Sequence, residues 1–135
     1  MPIVDASVAT AWFVEIGTSG SARPVLLWEP LCAPSLLRIE LTSSLLKYVR
    51  AGLLSDKAPL EAVENLGRIV HVWVEDRSLL PAATALALQH RHKIYDCLYL
   101  ALAQQRGEPL VTANRRLAAI ARELSIETEL IEPSF

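Results

Sequence analysis

Short apolar runs and helix-length amphipathic segments alternate along this chain, and that alternation restricts the fold more than any other feature. Residues 2–5 form an apolar run ending in an acid and read as a buried strand. Residues 7–15 carry Val8, Ala11 and Trp12 at helical spacing. Residues 17–20 read as a loop and 21–27 as a short helix. A short strand at 31–33 is closed by Pro34. Ser35 opens a long helix that runs to Ala51 and stops at Gly52, with Leu37, Leu41, Leu45 and Tyr48 as its inner stripe. Ser55 or Asp56 caps the next helix, to Arg68, and the β-branched run 69–74 is a third strand. Pro81 suits the first turn of a helix ending near His92, and residues 95–106 form another, closed by Gly107. A fourth strand at 109–112, a helix from Asn114 to Leu124 and an alternating edge strand at 128–131 complete the pattern.

Strands separated by helices imply a parallel sheet, because right-handed crossovers need the intervening helix. The expected architecture is an α/β fold, a three-layer α/β/α sandwich around a central parallel sheet of about four to five strands, Rossmann-like, in a single domain spanning residues 1–135. Ligands of such sheets bind beyond the carboxyl ends of the strands, at the switch point of the strand order. Asp5 ends the first strand and Asn114 follows the fourth, so both belong to that edge. The scattered glycines form neither GxGxxG nor GxxxxGK, which excludes the phosphate-binding loops of those kinds.

Of the 135 residues, 52% are hydrophobic and 21% charged, richer in apolar side chains than the ~45–50% of ordinary domains. The surplus points either to a buried subunit or partner interface or simply to a Leu- and Ala-rich helical chain. The net charge of −2 gives no global basic signature, so any nucleic-acid contact must come from local clusters of Arg and Lys. Cys32 and Cys97 lie far apart without CxxC spacing and read as small buried hydrophobes in a reducing compartment. No signal peptide and no membrane-length apolar stretch is visible, so a cytoplasmic location is expected.

Four polar residues lie beside apolar runs: Asp5, Glu40, Asp96 and Asn114. An acid in apolar surroundings is unfavourable unless something neutralises it, and two unit charges at ~4 Å repel by about 4 kcal/mol at an effective dielectric of 20. Gathered together, they would call for a divalent cation. Each has a local reading as well. Asp5 and Asn114 suit helix caps, Asp96 suits the first turn of a helix, and Glu40 borders a buried stripe where a solvated glutamate is common. Thr112 can donate a hydroxyl to a neighbouring carboxylate. His71, His90 and His92 fall outside these segments and read as surface or helix-end side chains.

Taken together, the segments resemble the PIN-domain ribonucleases, and more specifically the VapC-type toxins of toxin–antitoxin pairs. The resemblance is carried by Val4-Asp5-Ala6-Ser7-Val8-Ala9 with Trp12-Phe13, by Ala33-Pro34-Ser35-Leu36-Leu37 with Glu40, by residues 94–103 around Asp96, and by residues 110–117 around Asn114. It implies catalytic positions at Asp5, Glu40, Asp96 and Asn114, with Asp5, Glu40 and Asp96 as ligands of Mg2+, for which Mn2+ can substitute. The fourth position is usually Asp in the family. Asparagine keeps the shape and one oxygen acceptor but loses the charge, which implies weaker cation binding or lowered activity.

The implied function is a Mg2+-dependent endoribonuclease, the toxin of a type II toxin–antitoxin system, that hydrolyses RNA phosphodiesters with a metal-activated water. The alternative is a catalytically weakened module that binds RNA or a partner; a DNA-directed nuclease or phosphatase on the same scaffold is a third reading. Ser7, Thr112, Arg38, Arg115 and Arg116 are candidate substrate-binding residues, and Arg91 and Lys93, just before Asp96, can also meet the phosphate backbone. Solvated helix ends account for the same basic residues. The implied partners are RNA, a cognate antitoxin and a second copy in a homodimer. Leu45, Leu46, Val49, Leu53 and Leu54 can offer a groove to a partner helix, or serve the core.

Overall fold

The computed structural model describes residues 1–28 and 30–134. Among them lie five strands, β1 (Ile3–Val4), β2 (Cys32–Pro34), β3 (Val72–Val74), β4 (Leu110–Thr112) and β5 (Thr128–Leu130). The helices are α1 (Ala6–Phe13), α2 (Ser19–Ala22), α3 (Leu36–Arg50), α4 (Ala58–Ile69), α5 (Asp76–His90), α6 (Ile94–Arg106) and α7 (Arg115–Glu123). Every strand pairing is parallel, and the order is β3-β2-β1-β4-β5. Ile3 lies in register with both Cys32 and Leu110, so β1 is central and the order reverses between β1 and β4. The expected central parallel sheet with helical layers is therefore present, with β5 on an edge. Helices α1, α3 and α4 pack together, α5 packs on α6, and α6 lies against β1, β2 and β4.

The β1 and β2 side chains are buried, as parallel strands covered on both faces require. Leu37, Leu41 and Leu45 of α3 are fully buried, and from Asp96 to Ala103 every residue of α6 is buried. That makes α6 the central helix of the core, with an acid in its first turn. Cys32 and Cys97 are free and buried, and burial pushes both thiols up. No helix among the described residues is long and apolar enough to cross a membrane.

Several boundaries differ from the sequence reading. Pro81 lies inside α5, which begins at Asp76 rather than at the proline. Its ring removes only the bond to the carbonyl of Arg77, an exposed residue. The loop expected at 17–20 is partly α2, and the helix expected at 21–27 is the end of α2 followed by a 3-10 turn over Arg23–Leu27. The third strand is shorter than expected, because α4 extends through Ile69. Neither Ser55 nor Asp56 caps α4 through its side chain; Pro59 in the first turn needs no donor partner there. Ser35 precedes α3 but does not cap it through its side chain. Asp76 does that from a distance, its Oδ1 accepting the Leu36 amide at 2.9 Å. Leu45 belongs to the core rather than to a surface groove, whereas Leu46 and Leu53 are exposed. Gly52 and Gly107 follow α3 and α6 with φ of 77° and 61°, a region that glycine enters without strain.

Candidate active site

Asp5 leaves β1 at its carboxyl end and Asn114 leaves β4 beside it, on either side of the topological switch. Asp5 caps α1, as its Oδ1 accepts the Val8 amide at 3.2 Å. The same carboxylate accepts the Ser7 hydroxyl on Oδ1 at 2.6 Å and the Thr112 hydroxyl on Oδ2. Ser7 Oγ in turn accepts the Ala113 amide at 2.8 Å, and Thr112 Oγ1 accepts the Asn114 amide at 3.0 Å. The ends of β1 and β4 are thus stitched together around one buried carboxylate.

Even so, burial pushes Asp5 from the ordinary 3.8 up to about 6. Its three hydrogen bonds pull in the opposite direction, and nearby Asp96 adds to the rise. Glu40, half-buried on α3, is also raised, first by burial and then by Asp96 and Asp5, while the Tyr99 hydroxyl opposes the rise. The Asp96 charge thus reaches both Asp5 and Glu40, and the Asp5 charge reaches Glu40. At ligand distance they do not yet meet: among the described residues no three His, Cys, Asp or Glu side chains are placed to share one ion. Each carboxylate is instead held by a partner of its own. Glu40 Oε1 accepts the Tyr99 hydroxyl at 2.7 Å, and Asp96 Oδ2 lies 2.6 Å from His92 Nε2 and 3.8 Å from Lys93 Nζ.

A family model described as "PIN domain" matches residues 3–123. The chain belongs to the PIN-domain family. Ribonuclease VapC3 of Pyrobaculum aerophilum is 35% identical over 122 residues, which cover 86% of this chain and 91% of that protein. Ribonuclease VapC12 of Mycobacterium tuberculosis is 31% identical over 120 residues, covering 87% and 90% respectively. The crystal structure of PAE2754 from Pyrobaculum aerophilum shares the fold with a TM-score of 0.73 at 24% identity, covering 94% of this chain and 82% of that one. The structure of Mycobacterium tuberculosis VapC20, described as a sarcin–ricin loop cleaving toxin, does so with a TM-score of 0.71 at 18% identity, covering 88% and 94%.

On this PIN scaffold the remaining sequence candidates separate by location. Ser7 and Thr112 are engaged with Asp5. Arg38 stacks its guanidinium 3.6 Å from the ring centroid of Trp73 on β3. Arg115 lies 3.9 Å from Glu132, at the exposed surface. Asn114 is the cap of α7, its Oδ1 accepting the Leu117 amide at 3.1 Å. The acids lie between two clefts. One, of about 610 Å3, runs along α3 past Ser7, Glu40, Ser43, Lys47 and Tyr95. The other, of about 310 Å3, is lined by Asp96, Asn114, Arg116 and residues 91–93.

His92 lies at a helix end, as the sequence allowed, but its contact with Asp96 was not foreseen. Its side chain is only 6% exposed and rests against Asp96, so of the two expected placements, surface or helix end, it takes the second. The i,i+4 spacing of His92 and Asp96 was the available signal. Tyr99 was missed too; it stands three residues beyond Asp96, on the same helix face, and reaches an acid on another helix. His71 is exposed, its Nδ1 accepting the Leu31 amide at 3.3 Å, and His90 lies 3.9 Å from Glu123.

Proposed function

We propose that this PIN-domain protein is a Mg2+-dependent endoribonuclease, with Mn2+ able to substitute, and acts as the toxin of a type II toxin–antitoxin pair. The observation that carries the reading is the buried Asp5 carboxylate at the switch point, held by Ser7, Thr112 and the Val8 amide with no basic partner among the described residues. A buried acid that no basic residue neutralises suits a hard divalent cation, and the donor set is all carboxylate oxygen, which Mg2+ prefers. Asp5, Glu40 and Asp96 would hold it. Bound there, such an ion would supply a water of lowered pKa and positive charge for the phosphodiester oxygens.

The chain's own groups set up that reaction. Ser7, Thr112 and the Val8 amide fix the direction of the Asp5 carboxylate. Tyr99 does the same for Glu40, and His92 for Asp96. Hydroxyl and imidazole partners of this kind orient carboxylate ligands and tune their basicity. The relatives named as ribonucleases, and the toxin description of VapC20, support RNA as the substrate and toxicity as the role. A cognate antitoxin, a homodimer and a cytoplasmic location belong to the same reading. The exposed Leu46 and Leu53 on the α3 side offer apolar surface for a partner helix.

Asn114 supports a second reading, a catalytically weakened module that binds RNA or a partner. It brings no charge to the acidic group, and its oxygen already serves the α7 cap. Digestion of mixed single-stranded RNA with Mn2+ separates the two. The nuclease reading expects fragments that EDTA prevents and that Asp96→Ala abolishes. Inertness of both the native chain and Asn114→Asp would favour the binding module.

A further inference from the structure

The smaller cleft has a charge character that the chain as a whole lacks. The protein carries a net charge of −2, yet Arg91, His92, Lys93 and Arg116 all line this one depression beside Asp96 and Asn114. The only carboxylate in the lining, Asp96, is already engaged by His92 at 2.6 Å and by Lys93 at 3.8 Å. Among the described residues neither Arg91 nor Arg116 has an ion-pair partner, in contrast to Arg23 with Glu15, Arg68 with Glu64 and Arg115 with Glu132. Two exposed guanidinium groups thus face a cleft with their charge uncompensated.

The orientation of Asn114 adds a donor. An amide cap must present oxygen to the helix, and Oδ1 of Asn114 accepts the Leu117 amide at 3.1 Å. The other atom of the carboxamide is therefore the NH2 group, which has no partner among the described residues and can only donate. An aspartate here would present an anionic oxygen instead. The amino ends of α6 and α7 flank the same cleft, since Lys93 and Asn114 immediately precede their first residues, and they add partial positive charge.

Arg91 reaches the same cleft from α5. It ends α5 with φ of 48°, in the left-handed region, where α3 and α6 are followed by Gly52 and Gly107. Glycine would hold that turn without strain. Ser125 takes the same backbone region after α7, so the turn itself is not special to the cleft; what matters is that the exposed Arg91 lines it.

We propose that the cleft lined by Arg91, Lys93, Arg116 and the Asn114 amide is a phosphate subsite that holds the RNA backbone beside the bond to be cut. This rests on the ribonuclease reading and gives the substitution at position 114 a role in substrate binding. Guanidinium forks and amide donors suit phosphate oxygens, and a subsite next to the acids draws a polyanion toward a region that would otherwise repel it.

The test is binding of a short fluorescein-labelled single-stranded RNA of mixed sequence to the full chain, followed by anisotropy over a range of salt with calcium as the divalent ion. A triple variant Arg91→Gln, Lys93→Gln, Arg116→Gln is compared with a control triple, Arg50→Gln, Lys57→Gln, Arg122→Gln, whose exposed cations line no part of the cleft. The subsite predicts a salt slope shallower by about 2 for the first triple, from roughly 0.7 per phosphate contact on single strands, and no change for the control. Arg91→Gly should melt higher than the native chain yet bind the RNA more weakly, which separates binding from folding. Equal losses in both triples, or no loss in the first, would overturn the subsite. If the cleft triple binds like the native chain and RNA is still cleaved, only the subsite fails. If the native chain neither binds nor cleaves RNA, the ribonuclease reading fails and the subsite with it.

Discussion

Tyr99 donates its hydroxyl to Glu40 Oε1 at 2.7 Å, tying the buried helix α6 to α3 across 59 positions of sequence. The phenol is 1% exposed, and burial together with the Glu40 charge pushes its pKa well above the ordinary value, so it acts as a fixed donor. Tyr99→Phe keeps the packing and removes the donor. The expected cost is on the order of 1 kcal/mol in urea denaturation, as for a net hydrogen bond. Glu40 then rises further, and calorimetric Mn2+ affinity falls; an unchanged affinity would show that the bond serves the fold alone.

Asp5 links stability to pH. Its folded value of about 6 lies above the ordinary 3.8, so the folded chain holds a proton that the unfolded chain has already lost between those values. Its contribution is fully present below pH 3.8 and lost as pH rises through about 6, on the order of 3 kcal/mol at 1.36 kcal/mol per tenfold proton factor. The metal-free protein should therefore gain stability from this group as pH falls from 7 toward 5. Saturating Mn2+ should reverse that trend. Melting curves across this window, with and without the ion, read both signs.

Asp5→Asn should separate stability from function. The substitution removes a buried charge while leaving an oxygen that can accept the Val8 amide and the Ser7 hydroxyl. At pH 7.5 the variant is expected to melt at or above the native temperature, with RNA cleavage reduced by about a hundredfold or more. Active-site strain of this kind is the usual setting for gains in stability at the expense of activity.

Asp76→Ala should loosen the helix that carries Glu40. Asp76 Oδ1 accepts the Leu36 amide at 2.9 Å and supplies the cap that Ser35 does not. Loss of a cap costs roughly 0.5–2 kcal/mol. Amide exchange in the first turn of α3 is expected to quicken more than exchange in α6.

These cases show what the sequence revealed and what it hid. The alternation of apolar runs and helices was enough to place the elements along the chain, to imply a parallel sheet and to put Asp5 and Asn114 at its carboxyl edge, because these signals are local; the strand order was not legible. The Asp76 cap on α3 and the Tyr99 bond to Glu40 join residues 40 and 59 positions apart, and no spacing rule reports such pairs. Pro81 misled because proline is ordinarily confined to the first turn, whereas here it sits within α5, where the carbonyl it leaves unpaired belongs to the exposed Arg77. His92 was hidden by its place just outside a helix, although its spacing to Asp96 is that of a side-chain pair. The pattern of acids singled out Asp5, Glu40 and Asp96 as candidates; it did not tell that each would be held by a separate neutral or basic partner.

Asn114→Asp should change binding and turnover in opposite directions. Aspartate keeps the α7 cap, since a carboxylate oxygen also accepts the Leu117 amide. The added charge is expected to tighten Mn2+ binding and raise kcat, while replacing the NH2 donor raises KM for RNA. Steady-state cleavage resolves the two constants; a fall in both would contradict the account.

The central claim is that Asp5, Glu40 and Asp96 hold one divalent cation. Diffraction from crystals grown with manganese, recorded at its absorption edge, tests it most directly. The account predicts an anomalous peak bounded by oxygens of all three carboxylates, with Asp96 turned from His92 as far as coordination requires. A peak elsewhere, or none at saturating manganese with the three acids in separate directions, would contradict it.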